Sequence, residues 1–160
     1  EGIAVTVLNR GFAADVADEA PWLLLGSKTL SYATNMAALR HAAAGGFQDV
    51  IYVSSDGEVL EGPRSTVVML RAGELFSPPQ DVGILEGTTL GAMAAVAEQE
   101  GIPVRRERLL VSDLMAADAV WLLSSVTLAA RVRRIDDVML PTADPVIDVA
   151  RLADRAVGRA

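Results

Sequence analysis

Several residue types are absent or scarce in this chain, and each scarcity excludes a class of chemistry. There is no cysteine, which excludes disulfide bonds, thiolate metal ligands and cysteine nucleophiles. The single histidine, His41, lies in an alanine-rich stretch typical of a helix. A surface or packing role for it is favoured over a catalytic triad, and we expect no metal site. Aromatic residues make up 4% of a chain that is 51% hydrophobic, which predicts an aliphatic core.

Long apolar runs and excess positive charge are also missing. No run approaches the roughly 18 residues of a membrane-spanning helix, and no signal-peptide pattern is present. We therefore expect a cytoplasmic protein without a membrane partner. The net charge of −7 argues against nucleic-acid binding. Six clustered arginines alternate with apolar residues, as on solvated strand faces: Arg105, Arg106, Arg108, Arg131, Arg133 and Arg134.

Lysine is almost missing: of the fourteen lysines and arginines in the chain, Lys28 is the one lysine. Arginine replaces lysine in most surface roles, but it cannot lose its proton and attack a carbonyl. Lys28 follows the leucine-rich residues 22–25, where burial would favour the uncharged amine. It is therefore a candidate Schiff-base lysine. The alternative is an ordinary lysine whose stem lies along apolar surface.

Hydrophobic periodicity predicts strands and helices that interleave without strict βαβ alternation. The expected helices cover residues 34–44, 88–101, 111–117 and 144–157. The expected strands cover residues 2–10, 23–25, 50–53, 58–61, 65–71, 74–77, 104–109, 119–123 and 129–135. This order fits one α/β domain of the mixed-sheet (α+β) type, over residues 1–160, better than a doubly wound sheet.

Polar residues that carry chemistry fall where these elements end. Besides Lys28, they are Glu61 in an acidic turn, the hydroxyls of residues 87–89 at a helix start, and those of residues 124–125 after a strand. An amine, a carboxylate and a phosphate cradle at a helix N-terminus are the parts that a pyridoxal phosphate enzyme requires. Each part alone is also an ordinary cap or turn.

The order and spacing of these motifs resemble the class IV, or fold type IV, pyridoxal phosphate family. That family contains branched-chain and D-amino-acid transaminases and aminodeoxychorismate lyase. Its pattern runs Lys-Ser-Leu-Ser/Asn-Tyr with a later Asn, Asp-Gly-x-Val-x-Glu-Gly, Leu-x-Gly-Ile-Thr-Arg, and Gly-Thr-Ala. The corresponding segments here are Lys28-Thr29-Leu30-Ser31-Tyr32 with Asn35, Asp56-Gly57-Glu58-Val59-Leu60-Glu61-Gly62, Leu85-Glu86-Gly87-Thr88-Thr89, and Ser124-Ser125-Val126.

The resemblance implies a role for each matched residue. Lys28 would bind the cofactor covalently and shuttle the proton. Tyr32 would hydrogen-bond the cofactor's phenolic oxygen, and Glu61 would pair with its pyridine nitrogen. The phosphate would be held by Thr88, Thr89 and Ser125. A substrate carboxylate would meet the backbone amide of the Ser125-Val126 turn. Arg64 would either reach that carboxylate or point into solvent.

Some positions depart from the family pattern. Thr66 stands in place of Asn, Leu90 in place of Arg, and Ser124 in place of Gly. Ser125 keeps a hydroxyl, so its phosphate role survives, whereas Ser124 would alter the approach of the substrate.

The resemblance to aminodeoxychorismate lyase is the nearest, which implies release of pyruvate and formation of 4-aminobenzoate for folate synthesis. The alternatives are a D-amino-acid or branched-chain transaminase and a non-catalytic fragment that keeps the fold. Family members carry an N-terminal small domain that this chain does not show, so we expect a C-terminal cofactor-binding domain. The resemblance implies that this domain is the family's large domain, a mixed-sheet pseudo-barrel. We also expect an amino-acid-like substrate and a homodimer.

Overall fold

The computed structural model describes residues 2–158. Five α-helices lie in this part of the chain: α1 (Val16–Glu19), α2 (Ala33–Ala44), α3 (Thr88–Gln99), α4 (Val111–Met115) and α5 (Val149–Ala156). Eight strands form one sheet: β1 (Ile3–Asn9), β2 (Asp49–Val53), β3 (Thr66–Arg71), β4 (Glu74–Ser77), β5 (Val104–Arg106), β6 (Ala119–Ser124), β7 (Leu128–Ile135) and β8 (Val138–Met139). The mixed-sheet α/β fold expected from the sequence is confirmed.

The sheet runs β2-β1-β7-β6-β3-β4-β5, with β8 paired to β7. Three pairings are parallel (β1 with β2, β1 with β7, and β4 with β5), and the others are antiparallel. Isolated bridges join Val53 to Val59 and Glu58 to Leu110. These bridges connect the β2 edge, through residues 58–59, to the chain just beyond β5. The sheet therefore curves round on itself, as in the expected pseudo-barrel.

Alternating side chains on the central strands divide the core in two. On β6, Val120 and Leu122 pack into an inner cluster with Ile51, Met69 and Ile135. The intervening residues of β6 face outward and pack in a second cluster with α3 and α5, through Leu90, Met93, Val149 and Leu152. This period of two is what strand geometry dictates, and it buries both faces of the sheet.

Residues 23–25 are not the buried strand expected from their leucines. Pro21 begins a one-turn 3-10 helix, Pro21–Leu23, and Leu24 then adopts the left-handed region at φ 54°. Trp22, Leu23 and Leu24 are 74%, 48% and 58% exposed. The fixed φ of proline favours a helical first turn, and among residues 2–158 no strand lies alongside this segment to pair with it.

Three other boundaries also differ from expectation. Residues 58–61 do not form a continuous strand. They pair with the end of β2 through the Val53–Val59 bridge and backbone hydrogen bonds such as Leu60 N to Tyr52 O at 2.9 Å. β5 ends at Arg106 instead of Leu109. The last helix begins at Val149, not at residue 144, because the Asp148 carboxylate caps it by accepting from Arg151 N at 3.0 Å. Between residues 2 and 158, no helix is long and apolar enough to cross a membrane.

Candidate active site

A cleft of about 790 Å³ opens beside the sheet and gathers most of the residues singled out in the sequence. Its lining includes Lys28, Tyr32, Glu61, Arg64, Thr88, Thr89 and Ser125. These residues come from the loop before α2, the turn before β3, the start of α3 and the turn after β6. The volume lies within the range of small-molecule sites. The fold thus brings seven of the eight residues expected at the site into one cleft.

Glu61 is held at one side of the cleft by two donors. Its Oε1 accepts from Arg10 Nη1 at 3.0 Å, and its Oε2 accepts from the backbone N–H of Leu85 at 3.1 Å. Burial raises the pKa of Glu61 above its ordinary value, and the charge of Arg10 and the two hydrogen bonds oppose that rise. The carboxylate is therefore both oriented and partly desolvated, as a partner for a protonated ring nitrogen requires.

Arg10 was not recognised from the sequence. It follows β1, and its guanidinium lies 5.5 Å from the ring centre of Phe12 and 5.3 Å from that of Tyr52. The two rings orient Arg10 toward Glu61 through cation–π contacts. The only local signal was an arginine at a strand end close to an aromatic residue. Its partner lies 51 residues away, so the pairing depends on the tertiary fold.

The N-terminus of α3 forms another wall of the cleft. Gly87 is the N-cap residue and has no side chain that could cap the helix. The first hydrogen bond of the helix is donated by Gly91 N to Gly87 O. The amides of residues 88–90 precede this first helical bond and remain free for an anion. A Cβ at Gly87 would overlap Thr66 Oγ1, so glycine permits the close approach of β3 to this helix. Thr88 is exposed and Thr89 is buried.

The two serines of the turn after β6 differ in their contacts: Ser124 stabilises the turn, and Ser125 faces the cleft. Ser124 Oγ accepts from Thr127 N at 3.1 Å and lies 2.8 Å from Thr127 Oγ1. Ser125 is exposed, lines the cleft and makes no side-chain hydrogen bond to residues 2–158. Val126 is 86% exposed and does not line the cleft, so its substrate role stays a prediction.

Lys28 lies in an exposed loop, which corrects the expectation that leucines bury it. Residues 24–32 contain only short-range hydrogen bonds, such as Ser27 N to Leu24 O at 3.0 Å and Tyr32 N to Leu30 O at 2.9 Å. Within residues 2–158, no carboxylate pairs with the Lys28 ammonium. The amine is thus accessible from the cleft, and the site residues of this chain alone do not desolvate it.

The cleft is cationic although the chain as a whole is acidic. Arg10, Lys28 and Arg64 line it, against Glu61 and Glu86. Glu86 is already engaged by Gln80 Nε2 at 2.7 Å and Arg106 Nη2 at 3.5 Å. With the N-terminal amides of α3 added, the balance favours an anionic ligand.

Most of the clustered arginines are engaged elsewhere: Arg105 pairs with Glu74, Arg108 with Glu58, and Arg131 lies over Trp121.

Known proteins are similar to this chain in sequence and in fold. A bifunctional aminodeoxychorismate lyase / D-amino acid transaminase from Mycobacterium tuberculosis is 47% identical over 98% of this chain and 57% of its own length. A structure described as a hypothetical aminotransferase from M. tuberculosis, in a PLP-bound form, superposes with a TM-score of 0.95 at 47% identity, over 99% of this chain and 56% of that one. A fold IV transaminase from Curtobacterium pusillum gives a TM-score of 0.86 at 48% identity, over 96% and 51%.

This chain therefore spans a little more than half the length of the relatives it resembles. The family model for amino-transferase class IV matches residues 4–135, which include every residue of the cleft. The match covers most of the chain and agrees with the order of the motifs read from the sequence. The chain belongs to the class IV aminotransferase family.

Proposed function

We propose that this chain is the cofactor-binding domain of a pyridoxal phosphate enzyme, in which Lys28 binds the cofactor. The observation that carries the proposal is the convergence of Lys28, Glu61 and the hydroxyls of Thr88, Thr89 and Ser125 in one cleft. The donor set fits the group: a free amine, an oriented carboxylate, and hydroxyls beside open helix amides. Ser65 Oγ adds a buried hydroxyl in the cleft wall with no partner among the described residues.

The residues would divide the work by their positions. Thr88, Thr89, Ser125 and the first amides of α3 would hold the phosphate. Glu61 would face the ring nitrogen, and the hydroxyl of Tyr32 would face the phenolic oxygen. The amine of Lys28 would hold the cofactor covalently, with loss of water, and would serve as the group that carries a proton to and from the substrate. Pyridoxal phosphate, when bound, supplies an electron sink that stabilises negative charge beside the substrate nitrogen.

For the reaction, we propose 4-amino-4-deoxychorismate lyase activity, which releases pyruvate and forms 4-aminobenzoate. The M. tuberculosis relative whose printed name contains this activity supports it. The same name contains D-amino acid transaminase, which is the second candidate together with branched-chain transaminase. Both reactions begin by removing a proton beside the substrate nitrogen, and Lys28 serves either. A non-catalytic fragment that keeps the fold is the third candidate.

Arg64 supports a substrate that carries a carboxylate. It stands at the tip of the tight turn in which Gly62 N donates to Ser65 O at 2.8 Å, and it lines the cleft. Within residues 2–158, no carboxylate forms an ion pair with its guanidinium. We expect Arg64→Gln to raise KM for a dicarboxylic substrate by about 10-fold and to leave kcat nearly unchanged, since the interaction is present in both ground and transition states.

The test of the proposed function uses the single lysine. Purified protein is mixed with pyridoxal phosphate, scanned for a new absorbance band near 400 nm, then reduced with borohydride and digested for mass spectrometry. We expect the label on the peptide that contains Lys28, and no label there in Lys28→Arg. If wild-type protein shows neither band nor label, the proposed cofactor role is wrong. Given a label, pyruvate release from aminodeoxychorismate is compared with keto-acid release from D-alanine and leucine.

We further propose a homodimer in the cytoplasm. Exposed apolar side chains beside the cleft, among them Trp22 at 74%, Leu24 at 58% and Leu30 fully exposed, support contact with a second copy. Sedimentation velocity on the wild type and on Leu30→Ser tests this, with a shift toward monomer expected for the variant. A wild-type monomer at all concentrations would contradict it.

A further inference from the structure

Asn35 occupies the first turn of α2, seven residues after Lys28, and links that helix to the acidic turn. Its Nδ2 donates to the backbone oxygen of Pro63 at 2.8 Å, and its Oδ1 accepts from Tyr52 Oη at 3.1 Å. Within residues 2–158, these are the only side-chain hydrogen bonds made by α2.

The rest of α2 is lightly packed. Ala42 is its only buried residue among those described, and Ala38 packs partly against the cluster that contains Tyr52 and Leu60. Small alanine side chains contribute little buried area, so they restrain the helix weakly. The two hydrogen bonds of Asn35 are therefore the most directional restraint between α2 and the sheet.

The far side of the link is rigid. Tyr52 is 3% exposed on β2, its N donates to Glu61 O at 2.8 Å, and its O accepts from Leu60 N at 2.9 Å. Its ring also lies under the Arg10 guanidinium that binds Glu61. Asn35 thus contacts two groups, Tyr52 and Pro63, that are fixed to the backbone on either side of the Glu61 carboxylate.

The Lys28 loop is held mainly at its two ends. At its start, a Cβ at Gly26 would lie 2.8 Å from Ile84 O, which shows close backbone packing there. At its end, the loop enters α2 at Ala33. Between these points Lys28 and Leu30 are exposed. The position of the amine therefore depends on where α2 is held.

We propose that Asn35 is a positioning residue that fixes the Lys28 loop relative to the Glu61 turn. The inference rests on the proposed function, in which both residues contact one cofactor ring. A covalent bond at Lys28 and a hydrogen bond at Glu61 can form together only when their separation matches that ring. Asn35 sets this separation because it is bonded to the turn and lies on the helix that continues the loop.

The test compares three variants that lose different hydrogen bonds of this link with one control variant. Asn35→Ala removes both hydrogen bonds, Asn35→Asp removes the donor to Pro63 O, and Tyr52→Phe removes only the hydroxyl donor. His41→Ala is the matched control, because His41 is exposed on the same helix and outside the cleft. All are studied well below their unfolding temperatures, so that the folded fraction is equal.

The first readout needs no cofactor. Hydrogen–deuterium exchange of the ligand-free chain is expected to speed up in residues 24–32 and 61–65 together in Asn35→Ala, and to match wild type in His41→Ala. Faster exchange confined to α2 would overturn the proposal, because it would show a helix restraint without a link between loop and turn.

The second readout is the rate of borohydride-trapped labelling of Lys28 at saturating pyridoxal phosphate. We expect at least a 10-fold decrease in Asn35→Ala and Asn35→Asp, a smaller decrease in Tyr52→Phe, and no change in the control. A wild-type rate in folded Asn35→Ala overturns the positioning role and leaves the proposed function intact. Absence of labelling in the wild type overturns both, while the exchange readout still reports whether the link exists.

Discussion

Arg10 Nη1 lies 3.0 Å from Glu61 Oε1, and this ion pair joins the end of β1 to the turn before β3. The two side chains are 21% and 15% exposed, so both charges are largely removed from water. Substituting only one partner of such a pair lowers the free energy of unfolding, because the other charge stays buried without a partner. The carboxylate that the proposed function assigns to the cofactor is thus held in place before any ligand arrives.

Removing the cation should destabilise the fold most where Glu61 is charged. We expect Arg10→Met to lower the free energy of unfolding by about 2 kcal/mol at pH 7. The loss should be smaller at about pH 4, which lies below both the ordinary and the raised pKa of Glu61, so that the carboxyl is protonated there. Urea unfolding at the two pH values measures the difference. Arg40→Met is the control, since Arg40 is exposed and outside the cleft. An equal loss at both pH values would show that packing, not charge, dominates.

The pH dependence of Glu61 has a definite sign. Burial raises its pKa in the folded chain above the ordinary value of 4.5, so the folded state binds the proton more tightly than the unfolded state. The resulting stabilisation is complete below about pH 4.5 and is lost as the pH rises through the raised pKa. We therefore expect the stability of wild type relative to Glu61→Gln to fall across that window. A rise over the same window in urea titrations would contradict the assignment.

Gly87 and Gly91 provide matched substitutions at one helix. Gly87→Ala places a Cβ against Thr66 Oγ1 and should cost about 1–3 kcal/mol through overpacking. Gly91→Ala meets open space inside α3 and should stabilise by about 0.5–1 kcal/mol through helix propensity. Thermal unfolding measures both. Thr66→Ala combined with Gly87→Ala should recover most of the loss, and failure to recover it would locate the strain elsewhere.

The two adjacent serines should separate cofactor binding from turn stability. Ser125→Ala is expected to weaken binding of pyridoxal phosphate by about 10-fold, the effect of one hydrogen bond to a charged group, and to leave binding of pyridoxal unchanged. Ser124→Ala loses its bonds to Thr127 and should weaken both ligands together through the turn. Absorbance titration with each ligand gives the affinities. If Ser125→Ala weakened the binding of pyridoxal phosphate and of pyridoxal equally, the Ser125 hydroxyl would not be part of the phosphate site.

Much of the site was predictable because its chemistry is local. Thr88 begins α3 and Ser125 follows β6, while Lys28 and Glu61 lie in the loops before α2 and β3. Their motifs follow one another along the chain in the expected order. Arg10 could not be predicted, because nothing near it in the chain indicates a carboxylate partner. The prediction of a buried strand from the leucines after Pro21 was also wrong, because these leucines are exposed. Apolar content predicts burial, but burial depends on whether another element packs against the segment.

The residue pattern alone predicted most of the helices and strands, except at residues 23–25 and 58–61, and it indicated the candidate reactive groups. These follow from local backbone geometry and from the chemistry of single side chains. Only the tertiary structure decided that Arg10 pairs with Glu61, that Asn35 links α2 to the turn at Pro63, and that Lys28 is exposed. Each of these depends on contacts between residues distant in the chain, which arise when the sheet curves and brings its loops together.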